Sequence, residues 1–176
     1  MDDLTRIYAR DCEVDRIDRT TAKRFLDGNH RMGHTHCRRY YGVYVKRQGS
    51  AKRKGLKVEG PPAGTLVAVA GFSGPRRWKA GDQVVLSAEW VRYASLKGLA
   101  VDGGMGKVLK AFIDETDPDD VMSYADASWS DGGVYRKLGF KEIETKTFPD
   151  GSRSIKFRLK LKDRPPPPQE HSGLLK

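Results

Sequence analysis

Apolar and polar residues alternate along this chain with two different periods, and each period predicts a kind of element. After the glycines of segment 103–106, apolar side chains recur with i, i+3, i+4, i+7, i+8 spacing: Met105, Val108, Leu109, Phe112 and Ile113. This spacing predicts an amphipathic helix, which the Asp117-Pro118 pair ends. A shorter helix is predicted from a cap at Asp18 or Thr20 to Gly28, and a third over 132–138.

Short apolar runs and period-two alternation predict strands between these helices. The predicted strands cover 4–8, 40–45, 65–72, 84–94, 121–125, 142–148 and 154–161. The last two form a hairpin around the turn at 149–152, and alternate lysines and arginines predict a basic outer face for the final strand. The pairs Gly74-Pro75 and Gly81-Asp82 bracket a predicted turn region.

Length and composition predict one domain with appendages. A chain of 176 residues supports a single core over 1–162. Segment 48–64 is rich in Lys, Gly and Pro, so we expect a flexible basic loop over 46–64. Four prolines begin a tail over 163–176 that we expect to be disordered.

The net charge of +10 favours an anionic partner such as DNA, RNA or a charged small molecule. No acidic residue lies between positions 28 and 58, where nine lysines and arginines are found. Six of these are candidate nucleic-acid contacts: Arg31, Arg38, Arg39, Lys52, Arg53 and Lys54. A solvated basic loop explains the same cluster equally well.

Several other classes of protein are disfavoured. No apolar run approaches the about 20 residues that span a bilayer, so no membrane partner is expected. The start of the chain lacks the features of a secretory signal, and two cysteines are too few for a disulfide framework. We therefore expect a cytoplasmic protein with reduced thiols. The histidines His30, His34 and His36 have no carboxylate nearby in the sequence, so no metal site is expected.

The segment 121–140 carries the most specific pattern in the chain. A short apolar run is followed by Gly132-Gly133, by Tyr135, and by the ending Lys137-Leu138-Gly139-Phe140. This segment resembles the fifth strand and fourth helix of the GNAT family of N-acyltransferases. The order of predicted elements over about 4–161 is similar to that fold as well. The resemblance implies an α+β fold with a mixed, mostly antiparallel central sheet flanked by helices.

The resemblance also implies a site for acetyl-CoA or another acyl-CoA. In this family a long strand leads into an Arg-x-x-Gly-x-Gly turn, whose N–H groups bind the coenzyme pyrophosphate. The matching positions in this chain are Ala94, Gly103, Gly104, Met105, Gly106 and Lys107. A glycine turn before a helix supplies unpaired donors and a positive dipole end. The chain departs from the pattern at Val101, where the family has Arg or Gln, and in the long link 95–102.

Three residues take catalytic roles by the same resemblance. Glu89 occupies the place of the carboxylate that accepts the amine proton; its alternative is an ion pair with a cation such as Arg92. Tyr135 resembles the general acid that protonates the departing thiolate; its alternative is a core tyrosine. Asp126 ends the strand over 121–125, where sites often lie; its alternative is a turn-capping carboxylate.

A finer resemblance extends to a phage-associated branch of the fold and, in outline, to Mom-type DNA-modification proteins. It rests on Asn29-His30-x-x-Gly33, on the segment 89–94, and on Ser123-Tyr124-Ala125-Asp126. This resemblance makes His30 a candidate catalytic residue in place of a helix-end histidine. Three hypotheses follow: an acyl-CoA-dependent N-acyltransferase, a DNA modifier of phage origin in the host cytoplasm that does not use acetyl-CoA, and an inactive nucleic-acid-binding module.

Overall fold

A computed structural model describes residues 3–166 of the chain. The chain divides into two compact units. Unit 1 comprises Met1–Gly74 and Trp90–Asp117, and unit 2 comprises Pro75–Glu89 and Pro118–Lys176. The predicted Pro-rich tail lies largely outside the described residues.

Three α-helices and twelve strands make up the described chain. The helices are α1 (Arg19–Asn29), α2 (Gly104–Thr116) and α3 (Gly133–Lys137), and a 3₁₀ turn covers Ala9–Asp11. The first six strands are β1 (Thr5–Tyr8), β2 (Cys12–Ile17), β3 (Arg39–Val45), β4 (Ser50–Arg53), β5 (Leu56–Glu59) and β6 (Leu66–Phe72). The others are β7 (Arg76–Ala80), β8 (Gln83–Ser95), β9 (Leu99–Asp102), β10 (Asp120–Asp126), β11 (Lys141–Thr147) and β12 (Arg153–Lys160).

Unit 1 contains two groups of strands. The second half of β8 pairs with β6, β6 with β3, and β3 with β2, all antiparallel. A separate four-stranded sheet has the order β5-β4-β1-β9, in which only β1 and β9 run parallel. The predicted fold class, a mixed and mostly antiparallel sheet with few helices, is confirmed.

The core of unit 1 forms where helix α1 covers the β3–β6–β8 strands. Phe25 and Leu26 of the helix pack in one cluster with Tyr40, Val69 and Ala94. Asp18 caps the helix, because its carboxylate accepts a hydrogen bond from the Thr21 N–H at 2.7 Å. A second set of contacts is aromatic: Phe72 stacks on Phe112 of α2 with ring centroids 4.0 Å apart, and on Trp90 at 5.2 Å.

Unit 2 places β12 between β11 and β10, and β10 lies next to the first half of β8. Strand β7 forms a hairpin with that same half of β8. Asp120 is fully buried on β10 and pairs with Arg158 of β12 at 2.9 Å. A buried ion pair is held because either charge alone would be costly to desolvate.

Five local predictions need correction. Helix α1 continues through Gly28 to Asn29, since Asp18 and the packed apolar face outweigh one glycine. The expected loop 46–64 contains the β4–β5 hairpin, and the turn region 74–82 contains β7. Two short strands, β2 and β9, were not predicted. The final strand is not basic on its whole outer face, because Arg158 is drawn to Asp120.

Candidate functional site

The glycine turn of unit 1 joins strand β9 to helix α2. Gly103 precedes the helix with a φ of 82°, in the left-handed region that favours glycine. The first helical turn then follows as Gly104, Met105 and Gly106, and the Lys107 N–H donates back to the Gly103 carbonyl at 3.1 Å. The sequence therefore forms the strand–glycine turn–helix unit that the resemblance implies.

This helix start offers backbone donors. The N–H groups of Gly104, Met105 and Gly106 come before the first i−4 acceptor of α2, so they have no partner within the helix. No side chain of the preceding residue caps them, because that residue is Gly103. Together with the positive end of the helix dipole, such donors are suited to an anionic group such as a pyrophosphate.

Gly104 lies so close to the side chain of Tyr93 that no residue with a Cβ atom would fit at this position. A Cβ atom at this position would lie 2.6 Å from the Tyr93 phenol oxygen and 3.0 Å from Val101. Burial raises the pKa of Tyr93 to about 12, so the phenol stays protonated at neutral pH. The Tyr93 side chain therefore packs against the glycine turn. This contact was not predicted, because a single tyrosine in a strand does not indicate from sequence which turn it contacts.

Lys107 holds the turn in place. Its ammonium donates to the Ala9 carbonyl at 2.8 Å and also to the Cys12 carbonyl. Two backbone acceptors therefore surround this charge. Lys107 thus fixes the start of α2 against the 3₁₀ turn, and its charge adds to the positive field of the helix start.

The two departures from the family pattern have one structural cause. The second half of the long link 95–102 forms its own strand, β9, which pairs in parallel with β1 from Thr5↔Leu99 to Tyr8↔Asp102. Val101 is buried on this strand, beneath Gly104, instead of facing solvent. An arginine there would have to bury its charge, so this chain uses an apolar residue.

Ala94 precedes the glycine turn in the chain. It lies in the second half of β8, pairs with Val69, and packs its methyl group in the α1 core cluster.

Tyr135 lies in unit 2, in the short helix α3. Its ring stacks on Phe157 with centroids 5.3 Å apart and meets Phe140 edge-on at 5.4 Å. Burial raises the pKa of the phenol, and a hydrogen bond with Ser123 acts in the opposite direction. Gly132 permits this packing: a Cβ atom there would lie 2.1 Å from the Phe157 ring. Both expected roles, core tyrosine and proton donor, fit a half-buried phenol held in this way.

The two carboxylates predicted as site residues differ in their surroundings. Glu89 is half-buried in β8, at the end of the part of that strand that belongs to unit 2. Asp126 ends β10 and accepts a hydrogen bond from the Ser128 N–H at 2.9 Å, while its carbonyl accepts from Trp129 and Ser130. Asp126 therefore caps a turn, which is the alternative that the sequence analysis left open.

His30 follows the last residue of α1. Its N–H donates to the Leu26 carbonyl, and its Nδ1 accepts from the Met32 N–H at 3.0 Å, which leaves the ring proton on Nε2. Burial and the charges of Arg92 and Arg31 lower its pKa, so the ring is neutral at pH 7. Arg92 fixes the neighbouring loop by donating to the Gly33 carbonyl at 3.0 Å.

The six predicted nucleic-acid contacts are not one cluster of unpaired charges. Arg39 pairs with Glu115 at 3.5 Å, and Arg53 and Lys54 pair with Asp3 at 3.0 and 3.5 Å. The side chains of Arg31, Arg38 and Lys52 are exposed. The structure adds a basic residue that was not predicted as a contact: Lys57 lies directly across the hairpin from Lys52.

Within residues 3–166, no group of three His, Cys, Asp or Glu side chains is arranged to hold a metal ion. His34, the central histidine of the predicted trio, has its Nε2 2.7 Å from the Tyr40 hydroxyl. None of the helices in the described part of the chain is long and apolar enough to cross a membrane.

Comparison with known proteins gives structural likenesses only. No protein-family model and no curated protein matches the sequence. A Bordetella pertussis protein described as a GnaT-family acetyltransferase aligns at 18% identity and a TM-score of 0.41, over 68% of this chain and 64% of its own length. A KacTA–DNA complex aligns at 14% identity and a TM-score of 0.45, over 84% and 92% of the two chains. A mutant AtaT toxin bound to the C-terminus of the antitoxin AtaR and to acetyl-CoA aligns at 13% identity and 0.46, over 84% and 93%.

Proposed function

We propose that this protein is an acyl-CoA-dependent N-acyltransferase whose acceptor is nucleic acid or a molecule associated with it. The observation that carries the proposal is the helix start in unit 1. Gly103 adopts a left-handed conformation, Gly104 packs against Tyr93, and the N–H groups of the first turn of α2 lack acceptors within the helix. This arrangement fits the coenzyme pyrophosphate better than a neutral ligand.

The proposed reaction joins the acyl carbon to an amine nitrogen. The carbon–nitrogen bond forms as the carbon–sulfur bond of the thioester breaks, so the amine loses a proton and the thiolate gains one. Glu89 is the proposed base that accepts the amine proton, directly or through water. Tyr135 is the proposed acid, since a phenol with a raised pKa remains protonated at neutral pH and has a proton to give.

Nucleic acid as acceptor is supported by charge. The chain carries a net charge of +10, and the exposed hairpin of β4 and β5 has four cations, Lys52, Arg53, Lys54 and Lys57, against one carboxylate, Glu59. His30 and Asp126 are kept as secondary catalytic candidates; His30 is neutral at pH 7 and so is able to accept a proton. The two cysteines, Cys12 and Cys37, are free and buried, which fits the proposed cytoplasmic setting.

Transfer of labelled acetyl groups tests this function. Purified protein is incubated with duplex DNA, RNA or tRNA and with acetyl-CoA that carries a labelled acetyl group. Each nucleic acid is then digested to nucleosides, whose masses are measured by mass spectrometry. An acetylated nucleoside that appears with native protein and is lost in Tyr135→Phe supports the proposal. The proposal fails if acetyl-CoA is neither bound nor consumed with any of these acceptors.

A second candidate is a coenzyme-independent protein on the same fold, either a Mom-like DNA modifier or a binding module without activity. Two observations favour it: Val101 is buried where the family has a polar residue, and Lys107 already donates to two carbonyls. This candidate predicts nucleic-acid binding without any response to acetyl-CoA.

A further inference from the structure

The four-stranded sheet of unit 1 has one face that carries a line of like charges. Arg6 on β1 is opposite Lys52 on β4, and Lys52 is opposite Lys57 on β5. Residues opposite each other in a sheet project from the same face, so these three side chains form a row across three strands. With strands about 4.8 Å apart, the row is about 10 Å long. We call these three residues the cationic row.

Such a row is unfavourable for the fold on its own. Like charges directly opposite each other destabilise a strand pair. Arg6 is partly balanced by Asp102, whose carboxylate is 3.1 Å away. Lys52 and Lys57 have no carboxylate within ion-pair distance in the part of the chain that the structure describes. A surface that keeps two unbalanced lysines side by side is suited to an external anion.

The same face has the shape of a binding surface. A shallow groove of about 520 Å³ lies along the hairpin and is lined by Gln48, Ser50, Lys57 and Glu59 together with neighbouring backbone. Glu59 receives a hydrogen bond from Gln48 at 3.2 Å. The groove thus runs from Lys57 of the cationic row to the carboxylate of Glu59 at the open end of the hairpin, so the end that contains Lys57 is the part suited to an anion.

The chemistry of this face favours a duplex backbone over other polyanions. The exposed apolar residue of the hairpin, Leu56, projects from the opposite face, so the row has no apolar side chain to enter a lipid surface. The aromatic ring on this face, Tyr8, is already covered by the Arg10 guanidinium at 4.7 Å from its centroid. Unpaired bases would therefore find no open ring to stack on.

We propose that the cationic row and its groove bind the sugar–phosphate backbone of duplex nucleic acid without reading its sequence. Lysine ammonium groups supply point charges to phosphates, and such contacts set position and affinity but carry no sequence information. The inference deepens the proposed function by giving its acceptor a binding surface, and it rests on that acceptor class, not on the transfer reaction.

Fluorescence anisotropy with a labelled, mixed-sequence DNA duplex of about two helical turns tests this surface. The test variant is Lys52→Gln/Lys57→Gln. The matched control, Lys23→Gln/Lys110→Gln, removes the same charge from two exposed helix lysines of unit 1. We expect the test variant to bind at least tenfold more weakly, and its salt dependence on a log–log scale to be shallower by about 1.8. The control should stay within about threefold of native protein, since only bulk charge has changed.

Three results would overturn the inference: equal losses in both double variants, no duplex binding by native protein, or tighter binding to single strands or to phosphatidylserine vesicles. A thermal shift with acetyl-CoA separates this outcome from the proposed function. Lys52→Gln/Lys57→Gln should keep the native response to acetyl-CoA. If native protein binds the duplex but shows no thermal shift with acetyl-CoA, the proposed nucleic-acid surface stands and the proposed acyltransferase activity is rejected.

Discussion

The phenol oxygen of Tyr93 lies 2.6 Å from the point where a Cβ atom of residue 104 would be, so only glycine fits at the start of helix α2. The large side chain of Tyr93 and the absence of a side chain at Gly104 are therefore complementary. Because the proposed coenzyme site consists of the N–H groups of this turn, its geometry depends on that contact.

Gly104→Ala tests the match. The added methyl group should force the turn away from Tyr93 and destabilise the protein by about 1–3 kcal/mol, with weaker binding of acetyl-CoA. The double variant Gly104→Ala/Tyr93→Phe removes the oxygen that the methyl group meets, so it should recover part of both losses. Thermal denaturation and calorimetric titration measure the two effects. Equal behaviour of the single and double variants would contradict the proposed contact.

Tyr135→Phe should separate chemistry from folding. The ring keeps its stacking on Phe157 and its edge contact with Phe140, so the loss of stability should be limited to the hydrogen bond with Ser123, about 1 kcal/mol. The rate of acyl transfer should fall by about 10²-fold or more, because the departing thiolate loses its proton donor.

The pH profile gives a second check on Tyr135. Burial raises the pKa of the phenol above its ordinary value of about 10, so the acid form is present throughout neutral pH. Activity should decline only as the pH rises through that raised pKa. A variant with unchanged rate, or a native alkaline decline near pH 8, would remove Tyr135 from the acid role.

Lys52→Glu should raise the free energy of unfolding and weaken nucleic-acid binding. The new carboxylate would face Lys57 on one side and Arg6 on the other, which exchanges two like-charge pairs for two opposite-charge pairs worth about 0.2–1 kcal/mol each. Chemical denaturation measures the gain, and duplex anisotropy measures the loss. Lys110→Glu, with the same change in charge but beside Asp114, should gain no stability. A loss of stability in Lys52→Glu would contradict the register of the row.

Glu115 should make the stability of unit 1 depend on pH. Burial opposes its ionisation, but hydrogen bonds from Tyr41 and Arg16 outweigh burial and lower its pKa below the ordinary 4.5. A group with a lowered folded pKa stabilises above its unfolded pKa and loses that contribution as pH falls through the folded value. Glu115→Gln should therefore cost about 1 kcal/mol at pH 7 and flatten the acid limb.

The neighbouring Asp114 is the control for this prediction. It lies one residue away on α2 and makes only an exposed i, i+4 pair with Lys110. Asp114→Asn should change the free energy of unfolding by less than about 0.5 kcal/mol at any pH. An equal loss of stability in both variants would mean that the hydrogen bonds of Glu115 with Tyr41 and Arg16 stabilise the fold no more than an exposed ion pair does.

Sequence patterns predicted the elements that have a strong apolar pattern of their own. Helix α2 and strands β3, β6, β8 and β10 lie close to their predicted positions because their apolar spacing is unambiguous. The short strands β2, β4, β5, β7 and β9 were missed, since each owes its place to a partner strand and has little apolar pattern of its own.

The candidate site divides in the same way. The glycines at 103–106 and the Tyr135 segment carry local signals, so their elements could be predicted. The support of Gly104 by Tyr93, the anchoring of Lys107 on the Ala9 carbonyl, and the alignment of Lys52 with Lys57 depend on long-range pairing. No local pattern encodes such contacts, and the basic residues of 46–64 therefore looked like a loop.

The most direct test of the central claim is the melting temperature of the native protein with and without acetyl-CoA, alongside Gly104→Ala/Tyr93→Phe and Gly104→Ala. At about 100 times its dissociation constant, a ligand of the folded state adds about 2.7 kcal/mol, which is a rise of several degrees for a chain of this size. The account predicts that rise for native protein, a reduced rise for Gly104→Ala, and a partial return in the double variant. No rise in native protein, or the same rise in all three, would contradict a coenzyme site at this turn.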